Sequence, residues 1–414
     1  MDHAGPTLDA VILGGGVAGL WTLSRLNRDG YAAALVSAGA LGAGQTVASQ
    51  GIIHGGIKYA LIGAATRASA AIAPMPALWD AALRGEAPDQ PDLRGARVLA
   101  SEHCLWTTRS VASRIAGVAA SKVIRTGVRA LAPEERAGAL SPRAGAAGID
   151  VYAVAETVLD PRSLVEALAA DGAGRIVSAG GAGTIRAAAD EVGVRIAVDM
   201  PGGPISLRAR RAVLCAGDGN AALLAALGVS GQSAPQMQRR PLHMVLLRAS
   251  PDDLPPLFAH CLGLGPRPRV TVTTQRDSAG RNVWYVGGEI AEAAGVARDR
   301  DKQIMASREE LAAVLPWLAS RGAFARAEWA TLRIDRAEGL SPSGDRPDEP
   351  VVRAAGAAIA CWPTKLAFAP AAAEMVSRTL REQGVCPSGA AAPLALTPPP
   401  IAALPWEDPS IAWT

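Results

Sequence analysis

One short run near the start of this 414-residue chain restricts its fold more than anything after it: Asp9-Ala10-Val11-Ile12-Leu13 followed by Gly14-x-Gly16-x-x-Gly19. An apolar pentapeptide of this kind reads as a buried strand, and Leu20 to Arg28, closed by Gly30, reads as a helix. Tyr31 to Val36 then supplies a second strand, parallel to the first. In such a βαβ unit the first glycine permits the tight turn, the second lets a pyrophosphate approach the backbone, and the third lets helix and strand pack closely. The helix N-terminus adds unpaired N–H groups for phosphate. The pattern predicts a dinucleotide-binding fold that begins at the first strand.

A chain of 414 residues exceeds what one core usually organises, so two domains are expected. Hydrophobic residues make up 49% but aromatics only 4%, which suits close helix-on-sheet packing of an α/β protein. The 41 basic and 38 acidic residues leave a formal charge of +3, no broad basic field, and no expectation of a nucleic-acid partner. The cysteines at 104, 215, 261, 361 and 386 form no CxxC pair, and no His-x-x-x-His cluster accompanies them, so no metal site is expected. A reducing, cytoplasmic setting is the expectation. The apolar stretch Ala10 to Ser24 follows no basic segment and is divided by a glycine turn, unlike a signal sequence. No stretch reaches the ~20 apolar residues of a membrane span.

Further along, the Pro-rich segment Gly85 to Arg94 marks an exit into a second domain. Asp160-Pro161-Arg162 caps a helix over Ser163 to Ala170, and Arg175 to Ile185 and Val192 to Val198 read as returning strands. Arg211 to Cys215 is a buried strand ending at Ala216-Gly217-Asp218-Gly219, a glycine turn at the kind of strand end where open α/β sheets bind ligands. His243 to Arg248, Val270 to Thr274 and Val283 to Val286 predict a mixed or antiparallel sheet. Arg300 to Leu315 is a helix, and Ala357 to Cys361 is a last core strand feeding a helix over Ala367 to Arg381. The expected division is 1–84, 150–235 and 325–386 for the nucleotide domain, and 85–149 with 236–324 for the substrate domain. The Pro- and Ala-rich tail, 387–414, is expected to lie extended on the surface, with Trp406 and Trp413 as anchors.

The segment Leu41-Gly42-Ala43-Gly44-Gln45-Thr46-Val47-Ala48-Ser49-Gln50-Gly51-Ile52-Ile53-His54-Gly55-Gly56-Ile57-Lys58-Tyr59 resembles the D-amino-acid-oxidase-like superfamily of flavoenzymes. Within it, the His-Gly-Gly-x-x-Tyr run is most similar to the 2-hydroxyglutarate and glycerol-3-phosphate dehydrogenase branches. Leu159-Asp160-Pro161-Arg162, Ala216-Gly217 and Pro363-Thr364-Lys365-Leu366-Ala367-Phe368 extend the likeness from Asp9 to about Leu380. The resemblance implies an α/β fold: a Rossmann-type FAD-binding domain with a discontinuous α+β substrate domain on a mixed or antiparallel sheet. It also implies FAD held by Gly14, Gly16, Val17, Ala18, Gly19, Ser37, Gln45, Thr46, Ser49, Gln50, Gly51, Ala216, Gly217, Thr364, Lys365 and Leu366. His54 would face the substrate.

Several residues carry two readings. Ser37 stands where an acid for the adenosine ribose is expected; it keeps one hydrogen bond without charge, or leaves room for the 2′-phosphate of NADP, though no arginine follows it directly. His54, in a glycine-flanked loop, is a general base or a histidine bonded only to backbone. Arg333 suits a carboxylate or phosphate, or pairs with Asp335 or Glu338 at the surface. Arg240 is a weaker anion ligand, and Lys58 and Tyr59 complete a polar pocket or merely pack. Lys365, ahead of the last helix, places positive potential near the flavin. Cys361 is a small core residue before it is a covalent flavin attachment. These readings add up to an FAD-dependent oxidoreductase that takes a hydride from a CH–OH or CH–NH carbon of a small, anionic molecule, a 2-hydroxy acid first, for an unnamed electron acceptor. An amine or amino-acid oxidase, a non-catalytic flavin-binding protein and an NADP reductase are the alternatives.

Overall fold

A computed structural model describes residues 7–56, 67–108, 128–200, 203–232, 234–263, 265, 267–342, 344, 346–389, 393 and 399–414. The opening strand, Leu8–Leu13, is buried on both faces and lies inside a sheet ordered Val351–Ala355, Ala358–Trp362, Ile205–Leu214, Leu8–Leu13, Ala33–Ser37, Ile176–Ser178. All neighbours from Ala358–Trp362 to Ile176–Ser178 run parallel. A near-continuous apolar run is what such a position demands, since alternate residues feed two cores. Ala10 and Ile12 pack on one side with Trp21, Leu23 and Val376, while Val11 and Leu13 pack on the other with Ile196, Leu214 and Leu224. The first helix, Val17–Arg28, begins three residues earlier than its apolar period suggests, because the glycine turn supplies its first turn as well as its approach.

The second sheet is mixed, as the pattern predicts. Its order is Glu328–Gly339, Met237–Ala249, Asn282–Gly287, Val270–Arg276, Ala259–Leu262, His103–Thr107, Asp150–Val154, Val128–Ala130. One pair among them is parallel, His103–Thr107 with Ala259–Leu262. Asp150–Val154 and Glu328–Gly339, which open two of the stretches expected in the nucleotide domain, pair in this second sheet. Alternating hydrophobicity identifies a strand but not the sheet it joins, which accounts for the difference. Trp106, Trp284, Phe324 and Trp329 fill the core between one face of this sheet and the helices Arg300–Val314 and Pro316–Ser320. The opposite face, carrying Met244, Gly287, Thr271 and His260 on neighbouring strands, turns toward the nucleotide domain.

The segment Gly85 to Arg94 does not leave the first domain: Leu93 joins the core of Trp79 and Ala82, and the Leu93 N–H donates to the Ala82 carbonyl. The tail departs from expectation only in part. Its described residues are anchored by Trp406 and Trp413 as expected, but they also form a short parallel bridge between Ile401 and Leu41 and bury Trp406 against Tyr285, Met244 and Val47. The Arg248 guanidinium stacks 4.0 Å above the Trp413 ring. Two tryptophans supply more apolar area than the surrounding Pro and Ala, which is why this segment docks. No helix among the described residues is long and apolar enough to cross a membrane.

Candidate active site at the meeting of the two sheets

Between the parallel sheet and the free face of the mixed sheet lies a cavity of about 1700 Å³. The strand ends determine what lines it. Gly14, Gly16, Val17 and Ala18, then Ser37, then Gln45, Thr46, Ser49, Gln50 and Gly51, then Ala216, Gly217, Thr364, Lys365 and Leu366 all contribute to its wall. Gly19 stands behind that wall. A Cβ on it would lie 1.9 Å from the Gly14 carbonyl oxygen, so its role is helix-to-strand packing. Gly14 has φ +122°, and a Cβ there would meet the Cys215 carbonyl at 2.5 Å. The helix that follows has no side-chain cap, and the Val17 N–H donates to Thr46 Oγ1 at 3.1 Å. A helix N-terminus whose N-cap glycine offers no side chain, at the carboxyl ends of parallel strands, is a cradle for a dinucleotide pyrophosphate.

Ser37 is buried in the cavity wall and donates to the Gly39 carbonyl at 2.8 Å, so its lone pairs are what it can offer a ribose hydroxyl. Gln50 spends its amide N–H groups on the Thr271 and Tyr285 carbonyls, at 3.1 and 2.8 Å, and so clamps the loop to the mixed sheet. Thr364 has φ +62°, a strained conformation for a β-branched residue, just where the strand Ala358–Trp362 turns into the cavity. Lys365 lies one 3-10 turn ahead of the helix Ala369–Glu382 rather than at its first turn, with Nζ 5.3 Å from the Phe368 ring centroid. Cys361 is buried at the cavity edge beside Cys215, whose thiol is pushed well up by their mutual hydrogen bond and by burial.

His54 also faces the cavity, and the structure supplies the partner that the sequence did not reveal. Ile52 and Val158 form an antiparallel bridge, and two residues on in that register Glu156 lies opposite His54. Glu156 Oε2 is 3.1 Å from His54 Nδ1, and Oε1 accepts from the Gly55 N–H at 2.8 Å. Only 2% of the Glu156 side chain is exposed. Burial favours its protonated form, yet the His54 charge and hydrogen bond, the nearby His103 and the Gly55 amide together hold it down to about 2. An ionised Glu156 accepts the His54 Nδ1–H whether the ring is charged or neutral, so the neutral form of the ring, once its Nε2 proton has left, carries its lone pair on Nε2. His260, buried on the adjoining strand, stacks on His54 with centroids 5.7 Å apart, and its Nδ1 is 2.7 Å from Thr271 Oγ1.

The arginines divide differently from expectation. Arg333 reaches the cavity but donates to the Val296 and Arg298 carbonyls at 3.0 and 2.6 Å, and Arg240 is held by buried Glu338 at 2.8 Å. Arg336, which the sequence reading passed over, also lines the cavity, and its Nη2 is buried with no hydrogen-bond partner. Burial and the neighbouring Arg346 and Arg240 pull Arg336 down to about 9. A cation that is desolvated and crowded by like charge leaves room for an anion. Lys58 and Tyr59 lie outside the described residues.

Comparison with known proteins bears on the cofactor. Residues 9–379 match the family model described as FAD dependent oxidoreductase. The chain belongs to that family. Its cofactor is FAD, which the glycine cradle and the two-sheet cavity fit. The chain is 45% identical over 399 residues, 96% of its length and 97% of the other's, to the probable FAD-dependent oxidoreductase PA4991 of Pseudomonas aeruginosa. The crystal structure of PA4991 superposes with a TM-score of 0.80 at 41% identity, covering 98% of this chain and 99% of that one. Glycine oxidase from Geobacillus kaustophilus shares the fold, with a TM-score of 0.61 at 18% identity over 94% of this chain and 98% of its own.

Proposed function

We propose that this family member oxidises a CH–OH or CH–NH carbon of a small anionic molecule, a 2-hydroxy acid first, with His54 as the general base. The single observation that carries this reading is the Glu156-oriented imidazole of His54 in the wall of the flavin cavity. Bound FAD supplies the two-electron acceptor for the hydride. His54 Nε2 takes the substrate's hydroxyl or ammonium proton, while Glu156 keeps the Nδ1 proton in place and stabilises the imidazolium that results. Arg336 orients the substrate through its anionic group, and the two-sheet enclosure keeps the reacting carbon out of bulk water. Lys365 adds positive potential at the end of the last core strand.

An amino-acid substrate is the second reading. Fold relatives named glycine oxidase and L-amino acid deaminase favour it, and a neutral imidazole serves either substrate equally well. An anaerobic screen of 2-hydroxy acids and amino acids, following loss of the yellow flavin absorbance, separates the two. Dye reduction without oxygen, set against peroxide formation in air, then separates dehydrogenase from oxidase; we favour the dehydrogenase. His54→Asn should slow single-turnover flavin reduction by at least about 100-fold with FAD content unchanged. An unchanged rate would remove His54 from the chemistry.

A further inference from the structure

Three side chains far apart in sequence, His54, Glu156 and His260, meet in one corner of the cavity, with one donor atom of each within 4.8 Å of the others. We propose that this corner binds one divalent first-row transition-metal ion, zinc being the type case, through two imidazoles and a carboxylate, with a remaining position open to the cavity. No spacing motif could show it, since the three residues come from a loop after the glycine-rich segment, a link between two strands, and the middle of the mixed sheet.

The donor set selects the ion. Two imidazole nitrogens with one carboxylate suit zinc, cobalt, nickel or iron, whereas magnesium and calcium prefer all-oxygen shells. The separations are close to what coordination needs. Bonds of ~2.1 Å put neighbouring ligand atoms ~3.0–3.4 Å apart, and His54 Nδ1 and Glu156 Oε2 already stand at 3.1 Å. His260 closes the third side by a side-chain movement of at most about 1.4–1.8 Å, the difference between the 4.8 Å bound and that edge.

The independent support is the outer shell. Metal-binding imidazoles and carboxylates are usually fixed through the atom that does not ligate. Thr271 Oγ1 holds His260 Nδ1 at 2.7 Å, which presents Nε2, and the Gly55 N–H holds Glu156 Oε1 at 2.8 Å, which presents Oε2. Glu156 and His260 are buried, whereas the His54 side chain is 26% exposed, so the corner is walled on one side and open on the other. The ion would replace the proton that His54 Nδ1 shares with Glu156, releasing that proton to solvent. The inference does not rest on the proposed reaction, but an ion there would occupy the imidazole that the reaction uses as base.

The test is binding, read without substrate. Holoprotein is stripped with EDTA and dialysed against about 10 µM zinc with about 1 mM magnesium present, and metal is counted against flavin absorbance. One zinc per flavin is expected, without magnesium uptake, and Cys386→Ser should retain it, since the exposed Cys386 thiol is the competing ligand to exclude. His260→Gln should weaken zinc binding at least about 100-fold. Glu156→Gln provides the same comparison should His260→Gln fold poorly, with flavin content reporting the fold in each. Zinc below about 0.1 per chain at about 100 µM, or an affinity unchanged by both substitutions, overturns the proposal.

Discussion

Glu156→Gln tests the centre of the site without any knowledge of the substrate. The carboxyl stands at about 2 in the folded chain against a usual 4.5, and it is almost wholly buried. At ~1.36 kcal/mol per pH unit the ionised group contributes about 3 kcal/mol of stability at neutral pH. Because the folded value is the lower one, that contribution is complete above 4.5 and is lost as pH falls toward 2. By pH 3 about 2 kcal/mol of it is gone. A glutamine carries no such titration, so the stability gap between wild type and variant should narrow between pH 7 and pH 3. In thermal melts of the holoprotein followed by far-UV circular dichroism, the difference in Tm should shrink by about 4 °C over that range. A gap that stays constant from pH 7 to pH 3 would show that Glu156 is not held ionised by His54, and the assignment of the imidazole lone pair to Nε2 would fall with it. The same variant aims an amide N–H at His54 Nδ1 and forces the opposite tautomer. Flavin reduction should therefore drop by about 100-fold or more.

Two further substitutions probe the cavity wall. Arg336→Met replaces a half-buried cation whose Nη2 is buried without a partner with an apolar chain; it should raise Tm, and weaken binding of an anionic substrate about 10- to 100-fold with little change in kcat, whereas an unaltered KM would exclude Arg336 from recognition. Trp406→Ala empties a buried indole site and should cost about 3–5 kcal/mol, seen as a lower Tm and as FAD lost on gel filtration; full retention of both would mean that the tail is not part of the folded unit.

Most residues that line the cavity on the side of the parallel sheet were legible in the sequence, because a glycine turn ahead of a helix N-terminus depends on local backbone geometry, and glycine spacing records local geometry. His54 was legible for a similar reason, through the flanking glycines. Glu156 was not, since its partner lies 102 residues away and no short-range pattern links them. One signal did exist: Glu156 is the single charged residue in the run Val151 to Leu159, and a charge inside an apolar strand-like stretch needs a partner. Arg336 was hidden differently. Along an edge strand, alternating charges look like a solvated face, and only the cavity shows that Arg240 and Glu338 neutralise each other while Arg336 is left over. The tail's two anchoring indoles were legible, whereas its bridge to Leu41 was not, because composition reports average solubility and carries no pairing information.

Residues 399–414 grip both halves of the molecule. Ile401 is bridged to Leu41 and Glu407 pairs with Arg162 on the nucleotide side, while Trp413 lies beneath Arg248 and the Thr414 N–H reaches the Trp329 carbonyl on the other. A hinge with a bar fastened across it does not swing freely. Traffic into the enclosed space must then use gaps between side chains rather than a parting of the domains, so turnover in this enzyme should respond more to the bulk of a molecule than to the viscosity of the medium.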